Sequence, residues 1–329
     1  MTKKLTFKGI WQVLKKSFTG FSEDKVTKLS GALAYYTVFS MAPLLLLIIS
    51  LCGIFLGQEA VEGKIYQSLS GFMGPDTAEQ LQQMIKNASL NGKGTLAAII
   101  GVITLLIGAT TVFAEIQDSI NSIWGLKPKP KMGLWKMVQT RFLSFSVIIS
   151  LGFILLVSLA VTTVIDGLFT NLMSHFPDIT VVIFYIFNQL FTLIIITLIF
   201  GVIFKVLPDA EIRWKDILVG SVITAVLFMI GKFAISFYIS KSNVGSTYGA
   251  AGSLVIVLLW AYYSSIILYF GAELTKAYAV KYGREIKPSS YAVTTQNVEI
   301  EKGKQSIQEK EGEKPPKRNA SGDWEISVE

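Results

Sequence analysis

The chain has 329 residues, of which 51% are hydrophobic and only 16% are charged, and its mean hydropathy is +0.52. An ordinary soluble domain carries about 25% charged residues, so this composition excludes a soluble globular protein and a disordered chain. The single cysteine, Cys52, excludes a disulfide scaffold. The composition predicts an integral membrane protein. The net charge of +7 could indicate nucleic-acid binding or membrane topology, and the positions of the charged residues decide between them.

The N-terminal segment 1–32 contains no continuous apolar stretch of the kind found in a cleavable signal peptide. Apolar residues recur at helical spacing from Phe7 to Phe18, with three lysines away from that stripe. This pattern predicts a basic amphipathic helix on the cytoplasmic leaflet, where lysines suit anionic headgroups. The alternative is a helix packed under the membrane bundle.

Six apolar segments are long enough to cross a hydrocarbon core of about 30 Å. Helices are expected, because each helix satisfies its own backbone hydrogen bonds in lipid, and the alternation typical of a membrane β-barrel is absent. The sequence therefore predicts an all-α polytopic membrane protein with six transmembrane helices. The predicted membrane domain is 33–285, with spans at 33–56, 95–114, 142–165, 181–204, 217–240 and 250–272.

Lysine and arginine are distributed unequally between the segments that connect these spans. The segments 1–32, 115–141, 205–216 and 273–329 hold 25 of them, and the opposite segments hold four. Because cytoplasmic segments of membrane proteins are enriched in these residues, both termini are predicted to be cytoplasmic. This topology accounts for the positive charge, so nucleic acid is not an expected partner.

Two predicted spans carry residues that interrupt an apolar helix. Pro43 in the first span removes a helical hydrogen bond and predicts a kink. Lys232 in the fifth span is the one charged residue within any of the six, and such residues often mark functional sites. Thr224, Lys232 and Ser236 share one helical face, which predicts a polar stripe facing a cavity. Lys232 is also close enough to the outer end for its ammonium group to reach the interface.

The sixth span adds a second polar face, on which Tyr262 and Tyr269 lie seven residues apart. Together with the stripe on the fifth span, these tyrosines complete the candidate intramembrane polar site. Glu115, Lys205 and Glu273 fall at predicted inner boundaries. They are candidates for a charged inner gate, and structural ion pairs or solvated helix ends are the alternative.

The segment 286–329 differs in composition from the rest of the chain. It is rich in Glu, Lys, Gln and Ser and contains Pro315 and Pro316. A segment of this composition cannot bury a core, so a disordered cytoplasmic tail is predicted.

The residues give little support for an enzyme. The one histidine, His175, and the one cysteine are far apart, and a zinc or two-metal hydrolase needs clusters of metal ligands. Nucleotide-binding glycine motifs and a nucleophile-elbow motif are absent from the sequence. No cofactor is expected.

Three separated motifs occur in the order found in a known family. They are Leu29–Thr37 with Ser40–Pro43, Glu115–Gln117 through Asn121–Trp124, and Tyr248–Ser253 through Leu259–Tyr263 with Gly271–Glu273. With these motifs, residues 10–285 resemble the YihY/BrkB proteins of the bacterial inner membrane. The resemblance implies six helices, an inner-membrane location and no established activity. Some members carry the label ribonuclease BN and others a virulence-factor label, and the family supplies no agreed catalytic residues.

Two functions from different classes remain open. A transporter or lipid translocator is favoured by the polar stripe and the Pro43 kink. An envelope scaffold with a protein partner is favoured by the amphipathic N-terminal segment, the outer loop 57–94 and the charged tail. A ribonuclease is the least favoured. Membrane lipids are the expected partners in either case, and the sequence does not indicate an oligomeric state.

Overall fold

The computed structural model describes residues 6–40, 111–129, 177–241, 251–283 and 286–295, with scattered helical positions between 63 and 83 and between 154 and 161. Pro43 and most of the predicted spans 33–56, 95–114 and 142–165 lie outside the described residues. The helices in this part of the chain are α1 (Phe7–Glu23), α2 (26–40), α3 (111–123), α4 (Pro177–Val206), α5 (Trp214–Lys241) and α6 (Gly252–Tyr282).

Three of these helices, α4, α5 and α6, are long and apolar enough to cross a membrane. Their apolar stretches are Val182–Val206, Trp214–Ile239 and Leu254–Tyr282. The first two agree closely with the predicted spans 181–204 and 217–240. The third extends past the predicted end at residue 272, because the helix continues to Tyr282. Gly283 caps it, with its backbone N–H bonded to the carbonyl of Ala279. The number of six spans stays a prediction.

Helices α5 and α6 run antiparallel and approach each other at a glycine and a threonine on each helix. Thr224 covers Gly271, and Thr275 covers Gly220, so neither glycine has room for a Cβ. Both hydroxyls donate to a carbonyl of their own helix, Thr224 to Gly220 and Thr275 to Gly271, each at 2.7 Å. Small residues allow this close backbone approach, which is a common way to pack helices in lipid.

Helix α1 packs lengthwise along the C-terminal half of α6. Its small residues face α6, with Gly9 beside Tyr282 and Gly20 beside Glu273. The structure thus places the predicted amphipathic helix against the bundle. The opposite apolar side stays exposed, since Phe7 is 87% and Trp11 64% accessible. Contact of this side with a lipid leaflet stays a prediction.

Four short strands lie at the end of the molecule where α3 and α4 finish. β1 (Leu126–Pro128) pairs antiparallel with β4 (Ala292–Thr294), and β2 (Ala210–Glu211) pairs antiparallel with β3 (Lys287–Pro288). Residues 286–295, which we call the C-terminal strap, therefore bind to the segment after α3 and to the α4–α5 loop.

The strap changes the predicted domain boundary. The tail was predicted to begin at residue 286, but residues 286–294 form β3 and β4 within the unit Met1–Thr294. These strands have no hydrophobic pattern of their own, and their ladder bonds come from segments far away in sequence. A disordered tail over 296–329 stays a prediction, because those residues lie outside the described part.

The packing of α5 against α6 predicts a clear contrast between two glycines. We expect Gly271→Ala to destabilise the protein by about 1–3 kcal/mol, because the new methyl group overlaps Thr224. The matched control is Gly31→Ala in α2, where an added Cβ meets nothing within 4 Å. Alanine there should be neutral or stabilising by up to about 1 kcal/mol. Thermal unfolding in mild detergent measures both, and equal effects of the two changes would contradict the close contact.

Candidate functional site

The carboxylate of Asp209 accepts two buried side-chain hydrogen bonds from α3. Asp209 lies in the α4–α5 loop and is only 4% exposed. Gln117 Nε2 donates to its Oδ1 at 2.9 Å, and Asn121 Nδ2 donates to its Oδ2 at 2.8 Å. The Asp209 backbone N–H donates in return to Asn121 Oδ1 at 2.8 Å. These bonds, which we call the Asp209 clamp, fix α3 against the α4–α5 loop, and hydrogen bonds to a charged group are the strong kind.

The same residue holds the C-terminal strap. The Ser289 backbone N–H donates to the Asp209 carbonyl at 2.9 Å, and Lys129 N–H donates to the Tyr291 carbonyl at 3.0 Å. Burial raises the pKa of the Tyr291 hydroxyl, and the nearby Asp209 carboxylate raises it further. Tyr291 therefore stays neutral and remains a hydrogen-bonding group over the physiological pH range.

The clamp orients α3 so that other side chains on this helix face α6. Trp124 Nε1 donates to the Ala272 carbonyl at 3.1 Å. Ser119 Oγ donates to Glu115 Oε1 at 3.3 Å. Tyr269 on α6 is fully buried beside Ser119 and within electrostatic range of Glu115. Ser119 is the hydrogen-bonding neighbour of this hydroxyl, although no hydrogen bond of normal geometry joins the two groups.

One turn further along α6, Glu273 is 2% exposed and meets the turn between α1 and α2. Its carboxyl group lies within hydrogen-bonding reach of the Asp24 carboxyl group. A Cβ at Gly20 would lie 2.5 Å from Glu273 Oε2, so this residue must be small. Lys276 Nζ lies 3.6 Å from Asp24 Oδ2 and also donates to the Ile123 carbonyl. Oε1 of Glu273 has no hydrogen-bond partner among the residues described.

These groups form two neighbouring sets along α6. Glu115 and Ser119 lie beside Tyr269, and Asp24 lies beside Glu273 one helical turn further on. We call the two sets together the inner polar cluster. It combines carboxylate and hydroxyl oxygens. Tyr269 and Glu273 are buried, whereas the Asp24 side chain is 29% exposed. Such an arrangement can exchange hydrogen bonds with a ligand.

Two residues of the predicted intramembrane site, Thr224 and Tyr269, lie against different helices. Thr224 contacts Gly271 on the side of α6 that packs against α5, whereas Tyr269 lies on the side that faces α3. Lys232 is half-buried on α5, with its ammonium 5.3 Å from the centre of the Phe233 ring. Ser236 and Tyr262 are half-buried as well. Thr224 and Tyr269 therefore face different helices, and a shared site that includes Lys232, Ser236 and Tyr262 stays a prediction.

The three predicted boundary charges also have separate surroundings. Glu115 is bonded to Ser119, and Lys205 donates to the Ile212 carbonyl in the α4–α5 loop. The charged neighbours of Glu273 are instead Asp24, Lys276 and Glu23. A gate formed by these three charges together stays a prediction.

Sequence reasoning missed Asp209 and Asp24 as site residues. Asp209 follows Pro208 in a short loop between two spans, which marks a turn but names no partner. Gln117 and Asn121 fall within the second family motif, four residues apart on one helical face. Side chains at that spacing are neighbours on a helix, so both amides can reach one common acceptor.

The fold and the site define an α-helical integral membrane protein. The chain belongs to the Virulence factor BrkB family, whose model matches residues 17–294, and this confirms the resemblance to the YihY/BrkB proteins. The family match includes the clamp, the inner polar cluster and the C-terminal strap.

Curated relatives are named as UPF0761 membrane proteins. The protein from Aggregatibacter aphrophilus is 27% identical over 79% of this chain and 89% of its own length. The protein from Haemophilus influenzae is 27% identical over 77% of this chain and 90% of its own length. The protein from Saccharophagus degradans is 26% identical, and this chain spans only 58% of its length. No solved structure matches the chain.

These names indicate no enzymatic activity. Within the described residues, no group of three or more His, Cys, Asp or Glu side chains could hold a metal ion. The ribonuclease label of the family therefore gains no support from the site.

The Asp209 clamp predicts that removing this one carboxylate lowers the free energy of unfolding substantially. We expect Asp209→Ala to destabilise the protein by roughly 2–3 kcal/mol, because two buried carboxamides lose their acceptor. The change should also expose the strap to limited proteolysis near Ser289. The control is Glu211→Ala, an exposed residue two positions away, whose effect should stay within about 0.5 kcal/mol. Equal stability and equal protease resistance of the two variants would show that the clamp does not hold the strap.

Proposed function

We propose that this protein is a multi-pass, transporter-like protein of the bacterial cytoplasmic membrane, which moves a small solute or a lipid past the inner polar cluster. The observation that carries the proposal is the burial of Tyr269 and Glu273 in a helix that is long and apolar enough to cross a membrane. Oε1 of Glu273 has no hydrogen-bond partner among the described residues, and the Tyr269 hydroxyl makes no hydrogen bond of normal geometry with its neighbour Ser119.

The argument is one of free energy. Burying a polar atom without a hydrogen-bond partner destabilises the fold, so a protein that keeps such atoms is expected to need them for function. A buried polar group without a partner costs about 1–3 kcal/mol, and a charged group costs more. Ionisable residues within membrane helices accordingly mark substrate or ion pathways. Other buried groups, such as Ser221 Oγ and Trp260 Nε1, also lack a partner within this part of the chain. They are uncharged, so their cost is smaller and their support for a pathway weaker.

The proposed topology has six spans and both termini in the cytoplasm. Its support is that β1, β2 and the strap belong to segments assigned to one side by their lysines and arginines, and these segments pair with each other. Segments on opposite sides of a bilayer cannot form such ladders.

Cysteine labelling tests this topology. In a Cys52→Ser background, Lys241→Cys should react with a membrane-impermeant maleimide added to whole cells. Thr294→Cys, which is also exposed, should react only after the membrane is permeabilised. Labelling of both positions in intact cells, or of Thr294→Cys alone, would contradict the proposed orientation.

The transport proposal predicts a ligand that depends on Tyr269. Native mass spectrometry of the protein purified in mild detergent should show selective retention of one solute or one class of lipid. Tyr269→Phe should weaken that retention about tenfold, because the lost hydroxyl bond is worth about 1.4 kcal/mol. Tyr185→Phe is the matched control, since Tyr185 is 60% exposed on α4. Identical retention by both variants would remove Tyr269 from the pathway.

The same experiment tests the polar stripe on α5. Lys232→Ala is compared with Lys241→Ala, an exposed lysine of the same helix. Loss of retention in Lys232→Ala alone places the stripe on the pathway, and unchanged retention removes it.

A scaffold with an envelope protein partner is the second candidate function. The observation that favours it is the exposed apolar side of α1, where Phe7 and Trp11 lie open beside exposed lysines. Retention of bulk membrane lipid only, together with one defined crosslinked partner in cells, would favour this function over transport. Neither function involves nucleic acid or a cofactor.

A further inference from the structure

We propose that α1 binds the headgroups of anionic phospholipids through one face, formed by Phe7, Trp11 and Phe18 and flanked by Lys8 and Lys15. We call this surface the lipid face of α1. The leaflet that it binds is the cytoplasmic one in the proposed topology. The inference goes beyond the transport proposal, because it concerns an outer surface of the bundle and not the inner polar cluster.

The side of α1 that packs against the bundle is its side of small residues. Gly9 and Val13 are buried in this contact, and Gly9 lies directly beside α6. The large apolar side chains stay open, since Phe7 is 87%, Trp11 64% and Phe18 64% exposed. A helix that packs only against protein buries its large apolar stripe. The stripe of α1 is therefore available to a partner outside the bundle.

The contacts between α1 and α6 fix the height of Trp11 along the bundle. The two helices are antiparallel, and Gly9 lies beside Tyr282, so Trp11 is level with about residue 281 of α6. This is also where the apolar stretch Leu254–Tyr282 of 29 residues ends. At 1.5 Å per residue the stretch is about 43 Å long, which matches the roughly 40–45 Å of a bilayer with its headgroup layers. Trp11 thus lies at the height of the headgroups.

A second exposed tryptophan lies at the same height. Trp214 begins α5 and is 50% exposed. Because Gly220 contacts Thr275 in the antiparallel pair of α5 and α6, Trp214 is level with about residue 281 as well. Its two neighbours in the chain are exposed basic residues. Tryptophans that lie beside basic residues at one level are typical of the boundary between membrane and water. This observation is independent of α1.

The charged residues of α1 favour anionic lipid over a protein partner. Lys8 and Lys15 are exposed and lie three residues before and four residues after Trp11, so they are its neighbours on the helix surface. The one acidic residue of α1 is Glu23, at its end. Protein interfaces are enriched in arginine and depleted in lysine, whereas α1 has three lysines and no arginine. A second copy of this face would be repelled by its like charge, whereas anionic headgroups attract it.

Fluorescence quenching in the full-length protein tests the proposal. In a Cys52→Ser background, Ile10→Cys is labelled with the fluorophore NBD, because Ile10 is 47% exposed and its replacement leaves the lipid face intact. The protein is reconstituted in phosphatidylcholine nanodiscs with added phosphatidylcholine or phosphatidylglycerol that carries a nitroxide near the top of one acyl chain. We expect at least about fivefold stronger association of the phosphatidylglycerol, which corresponds to about 1 kcal/mol.

Two charge variants show whether the lysines cause this preference. Lys8→Gln combined with Lys15→Gln should make the two lipids quench equally. The matched control is Lys241→Gln, an exposed lysine at the opposite end of α5, which should keep the preference. All three lysines are exposed, so these changes leave the packing of the helices intact. Raising the salt concentration should weaken the preference of the wild type, because salt screens exposed charges.

Each outcome decides the proposal. A preference for phosphatidylglycerol that disappears in the double variant supports it. Equal quenching by both lipids in the wild type overturns it, and so does a preference that survives in the double variant. Absence of quenching by either lipid also overturns it and favours a protein partner on this face.

The test is separate from the test of transport. Both leaflets of a nanodisc have the same composition, so the quenching does not depend on the orientation of the protein. Lipid retention that is lost in the double lysine variant belongs to α1. Retention that is lost in Tyr269→Phe belongs to the transport proposal, which therefore stands or fails independently.

Discussion

Asp209 joins three segments that are far apart in sequence, and the end of the molecule where α3 and α4 finish depends on it. Its side chain accepts from two carboxamides of α3, and its backbone carbonyl accepts from Ser289 of the strap. Because α3 is fixed in this way, Trp124 reaches the Ala272 carbonyl and Ser119 lies beside Tyr269. The clamp therefore positions the α3 residues that lie beside Tyr269, and a buried charged acceptor is suited to that role since losing it leaves several donors unsatisfied.

Hydropathy predicted α4, α5 and α6 well because the signal for a membrane helix is local. A continuous apolar stretch of about 20 residues needs no knowledge of its neighbours. The clamp and the strap are not local. Gln117 and Asp209 are 92 positions apart, and β1 pairs with a strand more than 160 positions later in the chain. Two- and three-residue strands carry no periodic pattern that sequence reasoning could detect, so the tail was predicted to start too early.

Helical periodicity placed polar residues on faces but could not say which helix each face meets. Thr224 and Lys232 were assigned to one stripe, and Tyr269 was assigned to the same site. The glycine–threonine contact shows that α5 covers one side of α6, while α3 covers the other. Since α6 has packing partners on both sides, its polar residues divide between two environments. The hydroxyls of Thr224 and Thr275 bond to their own backbone, whereas Tyr269 and Glu273 do not satisfy all their polar atoms in this part of the chain.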